Sequence, residues 1–142
     1  ITMVQREAPA FDQEAVETGS RLNQWPVQLR LTPVRAACFQ GAHLLIAADC
    51  TAYTRGDFHQ RFLSGRVTLI GCPKLDQVDY AAKLAAILSE NDIRDICLVR
   101  MEVPCCGGME FAIRRALEQS GKQIPLHITV LSTNGKIIQE GE

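Results

Sequence analysis

The chain lacks long apolar runs, an excess of charge of one sign and clustered aromatic residues, and each absence excludes a class of function. No stretch approaches the roughly 20 apolar residues of a transmembrane helix, and the first residues lack the charged region and apolar core of a signal peptide. With 15 Lys and Arg against 16 Asp and Glu, the formal net charge is −1, so there is no basic field to attract nucleic acid or an anionic membrane. The aromatic residues are too scattered for a base-stacking platform. These absences predict a cytoplasmic protein that binds neither nucleic acid nor membranes.

Familiar catalytic motifs are also missing. There is no Ser-His-Asp set, no helical His-Glu zinc motif and no phosphate-binding glycine fingerprint, because Gly107 and Gly108 lack the third glycine and its spacing. His43 and His127 open predicted strands, and His59 lies on a predicted helix, where a lone histidine is usually solvated or bonded locally. The candidate chemistry therefore falls to the cysteines.

Size and composition predict one domain that folds without disulfides. The chain has 142 residues, of which 46% are hydrophobic and 22% charged, as in an ordinary globular domain. Disulfide frameworks belong to small secreted chains whose core is insufficient. We therefore expect all 6 cysteines to be free for metal binding, redox chemistry or packing.

Alternating strand and helix patterns predict an α/β fold. Continuous apolar runs over 43–49, 67–71 and 96–103 are typical of parallel strands covered on both faces. Helices are predicted over 57–63, from a cap at Asp76 to Glu90, and over 108–119 with Gly121 as the stop. A strand over 128–131, the turn signal Asn134-Gly135 of type I′ and a strand over 136–139 form an antiparallel hairpin. The prediction is a single domain with a mostly parallel sheet, flanking helices and a C-terminal antiparallel hairpin.

The first part of the chain is weakly patterned. We interpret residues 1–24 as a linker or arm, with a short helix over 12–18, and residues 25–142 as the α/β domain. The segment 27–31 alternates apolar and polar residues, which predicts a half-buried strand.

Cysteines stand directly after three of the predicted parallel strands. Cys50 closes the first, Cys72 the second, and Cys105 with Cys106 the third. The carboxyl ends of parallel strands form the ligand crevice of an open α/β sheet, so these thiols are expected to converge although they are distant in sequence. A converging set of sulfur ligands suits an iron–sulfur cluster or another thiophilic metal.

The remaining cysteines have a simpler interpretation. Free cysteine often acts as a small buried hydrophobe, and we expect this role for Cys97, within a strand, and for Cys38, in an irregular connector. Around the candidate site, Asp49 is expected at the crevice rim, and Lys74 is expected to pair with Asp49 or Asp76 or to donate a hydrogen bond to the sulfur of a cluster. The helix that begins near Gly108 is expected to stabilise negative charge and to lower the pKa of the adjacent thiols.

Three stretches, Ala48–Cys50, Gly71–Asp76 and Met101–Gly108, resemble those of 4Fe-4S ferredoxin-type iron–sulfur-binding-domain proteins of anaerobic bacteria and archaea. The resemblance runs from about Trp25 to the C-terminus. In that family a ferredoxin module with two cysteine-rich motifs precedes an α/β domain of this kind. Residues 4–8 and 11–16 resemble the exit from that module, which this sequence does not include.

The resemblance and the cysteine pattern together predict an iron–sulfur redox module. Cys50, Cys72, Cys105 and Cys106 would hold a [4Fe-4S] cluster that aerobic preparation can destroy, and the partner would be a ferredoxin module in cis or another redox protein. With only three ligands, an open iron could bind a substrate. The alternatives are a thiol or persulfide redox site, a zinc site on the same cysteines, or a non-enzymatic docking domain whose cysteines only pack. A homo-oligomer is compatible with the sequence.

Overall fold

Strands alternate with helices and assemble into one sheet. The computed structural model describes residues 2–7, 9–12 and 14–142. Within them the strands are β1 (Ala42–Ala48), β2 (Val67–Gly71), β3 (Ile93–Met101), β4 (Leu126–Leu131) and β5 (Ile137–Gly141). The strand order is β2-β1-β3-β4-β5. Strands β1 to β4 are parallel and β5 runs antiparallel to β4. The predicted single α/β domain with a mostly parallel sheet and a C-terminal antiparallel hairpin is confirmed.

Apolar runs form the two central strands, as a sheet covered on both faces requires. In β1, Leu44 and Leu45 point to opposite faces of the sheet and both are fully buried. The run over 67–71 forms β2 with the predicted bounds, whereas β3 and β4 begin earlier than predicted, at Ile93 and Leu126. Because β1 and β3 lie at the centre, the residues that follow them lie close together at one edge.

Helices cover the two faces unequally. The α-helices are α1 (Thr51–Thr54), α2 (Pro73–Asp76), α3 (Tyr80–Glu90) and α4 (Gly107–Ser120). A π-helix spans His59–Leu63, and 3₁₀ turns span Ala37–Phe39 and Pro104–Cys106. Helices α3 and α4 pack together on one face and build the larger core. The π-helix contributes Phe62 and Leu63 to the smaller core on the other face.

The predicted cap of the long helix after β2 is wrong. A separate turn of helix, α2, spans Pro73–Asp76, and the residue that caps its end, Gln77, has φ +51°. The chain then restarts as α3, capped by Asp79, whose side chain accepts a hydrogen bond from the amide of Ala81. Asp76 therefore ends α2 and is free to contact other groups at the sheet edge.

Two predictions for the N-terminal part are also wrong. The strand over 27–31 reduces to one parallel bridge between Gln28 and Ile70, because the Gln28 carbonyl then accepts hydrogen bonds from Leu31 and Thr32 and turns the chain. Of the helix predicted over 12–18, Gln13 lies outside the described residues and the rest forms no helix. There the Asp12 carboxylate accepts from the amide of Glu14, a local bond that competes with a helix start.

The turn between β4 and β5 differs in type from the prediction. A type I′ turn needs positive φ at both central residues, but Asn134 does not have it, and Gly135 does, with φ +86°. The Ser132 carbonyl accepts from the Gly135 amide at 2.9 Å, and the Lys136 carbonyl accepts from the Ser132 amide at 2.8 Å. Thr133 and Asn134 are therefore the central residues of the turn, and Gly135, with its left-handed backbone conformation, follows them.

None of the helices in residues 2–7, 9–12 and 14–142 has the length and apolarity needed to cross a membrane.

Candidate functional site

A cavity at the carboxyl ends of the parallel strands gathers four cysteines. Cys50 follows β1, Cys72 follows β2, and Cys105 and Cys106 lie in the 3₁₀ turn after β3. All four line one cavity of about 240 Å³. The juxtaposition expected from the strand ends is therefore present in the structure. Other residues that line the cavity come from the end of β3 and the residues after it, from α1 and from the β4–β5 turn: Met101, Val103, Thr54 and Thr133.

A buried tyrosine holds the backbone at Cys72. The Tyr80 hydroxyl accepts a hydrogen bond from the Cys72 amide at 3.1 Å and donates one to the Asp76 carboxylate. The ring reaches this position because residue 71 is glycine, since a Cβ there would lie 2.8 Å from the Tyr80 oxygen. Burial and the neighbouring Asp76 raise the pKa of Tyr80, so the hydroxyl keeps the proton that it donates.

The two consecutive cysteines differ in exposure. Pro104 starts the 3₁₀ turn, and the Cys106 amide closes it by donating to the Val103 carbonyl at 3.1 Å. Cys105 and Cys50 are exposed, Cys72 is half-buried and Cys106 is buried. The cavity therefore has one thiol at its inner wall and two that a reagent can reach.

The electrostatics at Cys106 oppose the sequence-based expectation of an acidic thiol. Burial raises the pKa of Cys106 to about 11, and a backbone hydrogen bond with Met101 acts in the opposite direction. The neighbouring thiols of Cys105 and Cys50 raise this pKa further, and Cys105 shares a side-chain hydrogen bond with Cys106. Loss of water around the thiol is the largest cause and outweighs the hydrogen bond with Met101. In the free protein Cys106 is therefore a neutral thiol at physiological pH.

Asp49 lines the same cavity with an unsatisfied oxygen. Its Oδ1 is buried and has no hydrogen-bond partner among the described residues. Burial raises the pKa of Asp49, the Asp76 carboxylate raises it further, and a hydrogen bond from Gln28 lowers it. The predicted pairing of Lys74 with Asp49 or Asp76 is wrong, because the cation paired with Asp76 is Arg30, at 3.8 Å, and Lys74 makes no ion pair within the described residues.

The environment of Asp49 predicts that Asp49→Asn raises the free energy of unfolding at neutral pH. The pKa of Asp49 is higher in the folded protein than in the unfolded chain, where it is near 3.8. As pH rises above this value, the unfolded chain loses its proton more readily than the folded protein does, so the Asp49 carboxyl lowers the free energy of unfolding. Urea denaturation from about pH 3 to pH 7 measures this, and the gain is expected to vanish at the acid end.

The matched control for that variant is Asp57→Asn. The hydrogen bond from Arg55 lowers the pKa of Asp57, so this substitution is expected to lower stability at neutral pH. Equal responses of the two variants to pH would contradict the assignment of an uncompensated charge to Asp49.

Comparison with known proteins identifies the domain. A family model described as a Rossmann-like domain matches residues 36–142. The chain belongs to this Rossmann-like domain family. An uncharacterized protein of Archaeoglobus fulgidus is 32% identical over 117 residues, which cover 82% of each chain. No solved structure matches this Rossmann-like domain.

The remaining cysteines and histidines of the Rossmann-like domain lie outside the cavity. Cys97 is buried in β3, as predicted, but the packing role predicted for Cys38 is wrong, because Cys38 is exposed on a 3₁₀ turn. His59 accepts a hydrogen bond from the Arg21 amide at 3.1 Å, and His43 pairs with Asp95 at 2.7 Å. The candidate site therefore depends on thiols and one carboxylate, without imidazole.

Sequence reasoning missed the residues that approach the cavity from the hairpin and from α1. Thr133 lies in the β4–β5 turn, and its amide donates to the Glu102 carboxylate at 2.9 Å. The Thr54 hydroxyl lies 3.8 Å from the Met101 sulfur. The sequence signal for Thr133 is the hairpin, whose turn lies at the carboxyl end of β4 and so at the same sheet edge as the end of β3. The signal for Thr54 is its place in α1, directly after Cys50.

Proposed function

We propose that this protein is an iron–sulfur redox module in which Cys50, Cys72, Cys105 and Cys106 hold a [4Fe-4S] cluster. The observation that carries the proposal is that these four thiols line one cavity. Thiolates are the ligands that such clusters use in proteins, and the bound cluster would supply one-electron redox chemistry. The adjacent start of α4 favours the net negative charge of a thiolate-ligated group.

The size of the cavity favours a polyatomic occupant. A single water-sized sphere needs about 10–15 Å³, whereas this cavity measures about 240 Å³. Within the described residues, no three Cys, His, Asp or Glu side chains are close enough together to hold one metal ion. A zinc ion needs all its sulfur ligands about 2.3 Å from one point, while a cluster binds each thiolate through a different iron. This observation therefore counts against a mononuclear zinc site.

In the proposed module the chain's own residues hold and protect the site. The Tyr80 hydroxyl fixes the Cys72 backbone, and Met101 and Val103 provide apolar walls that exclude water. Cys50 and Cys105 are exposed, so a partner that donates electrons would approach the cluster from their side of the cavity. The proposed partner is a ferredoxin module in cis or another cytoplasmic redox protein, as the resemblance of the cysteine motifs implies.

Anaerobic production tests the proposal. Protein made and purified without oxygen is expected to contain iron and acid-labile sulfide in equal amounts and to show thiolate-to-iron charge-transfer absorption that reduction bleaches. Reconstitution with ferrous iron and sulfide provides the second arm. Protein that contains no iron and shows no colour in either arm would overturn the proposal. Protein that contains bound zinc and no sulfide would identify a mononuclear zinc site instead.

A thiol redox site is a second candidate, favoured because Cys105 lines the same cavity as Cys50 and Cys72, either of which is a disulfide partner for it. Oxidation of two thiols to a disulfide releases two electrons and two protons to an external oxidant. Cys105 is exposed, so a soluble oxidant can reach it. Metal-free protein that reversibly loses two titratable thiols on mild oxidation, and loses none in Cys105→Ser, would support this candidate.

A further inference from the structure

A second crevice lies on the sheet face that the π-helix covers only in part. A cavity of about 190 Å³ is lined by Arg61, Arg66, His127, Thr129 and Glu140, among others. An adjoining cavity of about 240 Å³ shares Arg66, Cys97 and His127 with it. Cys97 and His127 are register partners on β3 and β4, so the crevice follows the boundary between these strands. None of its residues lines the cavity of the four cysteines.

The wall of the crevice contains an unsatisfied hydroxyl. Thr129 is 0% exposed, and its Oγ1 has no hydrogen-bond partner among the described residues. A buried hydroxyl without a partner lowers the stability of the folded state, because it has lost its hydrogen bonds to water. Since Thr129 lines the cavity, an acceptor bound there would recover this loss.

Arg66 is the arginine of the crevice that makes no ion pair among the described residues, although the carboxylates of Asp95 and Glu142 line the adjoining cavity. Glu140 pairs with Arg61 at 3.3 Å, and Asp95 pairs with His43 at 2.7 Å. Arg66 donates from Nη1 to the Phe62 carbonyl at 2.9 Å and makes no ion pair within the described part of the chain.

The nearest thiol does not balance this charge. Cys97 is close to Arg66, but burial raises the pKa of Cys97, so its thiol is neutral at physiological pH. The guanidinium edge that remains on Arg66 is a fork of donors, a geometry that matches carboxylate and phosphate groups.

We propose that this crevice binds a small organic acid, whose phosphate or carboxylate group pairs with Arg66 and accepts a hydrogen bond from the Thr129 hydroxyl. The combined space exceeds that of a lone ion, so the organic part of the ligand extends into the adjoining cavity, beside Ile96 and Leu126. The crevice shares no lining residue with the cysteine cavity, so ligand binding there would be a second function of the domain, separate from the proposed cluster.

Titration of the whole chain with inorganic phosphate and, separately, with acetate tests the site, with sodium chloride keeping the ionic strength constant. Saturable shifts of the amide resonances of Arg66, His127 and Thr129 are expected with at least one anion, and the tighter anion identifies the acid group. Arg66→Gln is expected to weaken binding about tenfold or more, as loss of a charged hydrogen bond implies. Shifts that do not saturate, or equal affinity in Arg66→Gln, would overturn the proposal.

A pair of threonines separates binding from stability. Thr68 also has a buried Oγ1 without a partner, but it lines neither part of the crevice. Thr129→Val and Thr68→Val are both expected to keep or raise stability, and only Thr129→Val is expected to weaken anion binding. Glu142→Gln, which removes a carboxylate from the adjoining cavity, is expected to tighten binding. Equal affinities in the two valine variants would remove Thr129 from the site.

Discussion

Replacement of Cys50, Cys72 or Cys105 by Ser is expected to reduce iron and sulfide incorporation to near background during anaerobic reconstitution. A serine hydroxyl is a poor ligand for iron in a cluster, because these sites select soft thiolates. Serine is close in size to cysteine, and Cys50 and Cys105 are exposed, so the fold is expected to survive. Cys106→Ser is expected to lower incorporation as strongly, because Cys106 lies beside Cys105 and Cys50. Iron, sulfide and visible absorption are measured for each variant.

The chain provides a matched control for these variants. Cys38 is also an exposed free cysteine but does not line the cavity, so Cys38→Ser is expected to incorporate iron like the unmodified protein. Circular dichroism of each apo variant checks that the fold is retained. Equal incorporation in Cys38→Ser and Cys50→Ser would show that iron is bound outside the cavity and would remove the basis of the proposed function.

The convergence of the cysteines could be predicted because it depends on local signals and one general rule. Runs such as Val67–Gly71 are too apolar for anything but a covered strand, and the residue that follows each parallel strand lies at the same sheet edge. Neither step requires the position of a distant residue. Cys50, Cys72 and Cys105 follow three adjacent strands of the sheet, β1, β2 and β3, and therefore meet.

Features that depend on distant partners could not be predicted in this way. The position of Tyr80 depends on Gly71 and on the break between α2 and α3, for which the sequence offers two acidic caps, Asp76 and Asp79. The raised pKa of Cys106 reflects burial, which depends on how the turn after β3 packs and not on its sequence alone. The exposure of Cys38 has the same origin, since an irregular connector has no periodicity to indicate which side chains face inward.

The β4–β5 turn connects the fold to the candidate site. Gly135 is buried, and Arg55, which follows α1, donates from Nη1 to its carbonyl at 2.9 Å. Thr54 and Thr133, on the two sides of this contact, both line the cysteine cavity. The hairpin turn therefore closes the cavity on the side opposite β2, and a displacement of the turn would expose the buried thiol of Cys106.

Gly135→Ala is expected to lower the free energy of unfolding by about 2–4 kcal/mol, as steric overpacking and a strained backbone together imply. The residue has φ +86°, and a Cβ there would lie 2.1 Å from the Thr54 carbonyl oxygen, a backbone atom that cannot rotate away. Gly65→Ala is the matched control, because Gly65 has φ +73° and an added Cβ would meet no atom within 4 Å, so only the backbone strain of about 1–2 kcal/mol applies.

Urea denaturation measures the stability of both variants, and the rate at which a maleimide modifies the buried Cys106 thiol, followed by mass spectrometry of that residue, reports on the turn. We expect Gly135→Ala to speed that reaction, because the clash with Thr54 can be relieved only if the hairpin turn moves away from α1. Gly65 lies before β2 and far from this contact in the chain, so Gly65→Ala is expected to leave thiol reactivity unchanged. Equal losses of stability and unchanged thiol reactivity in both variants would show that the β4–β5 turn does not hold the cavity closed.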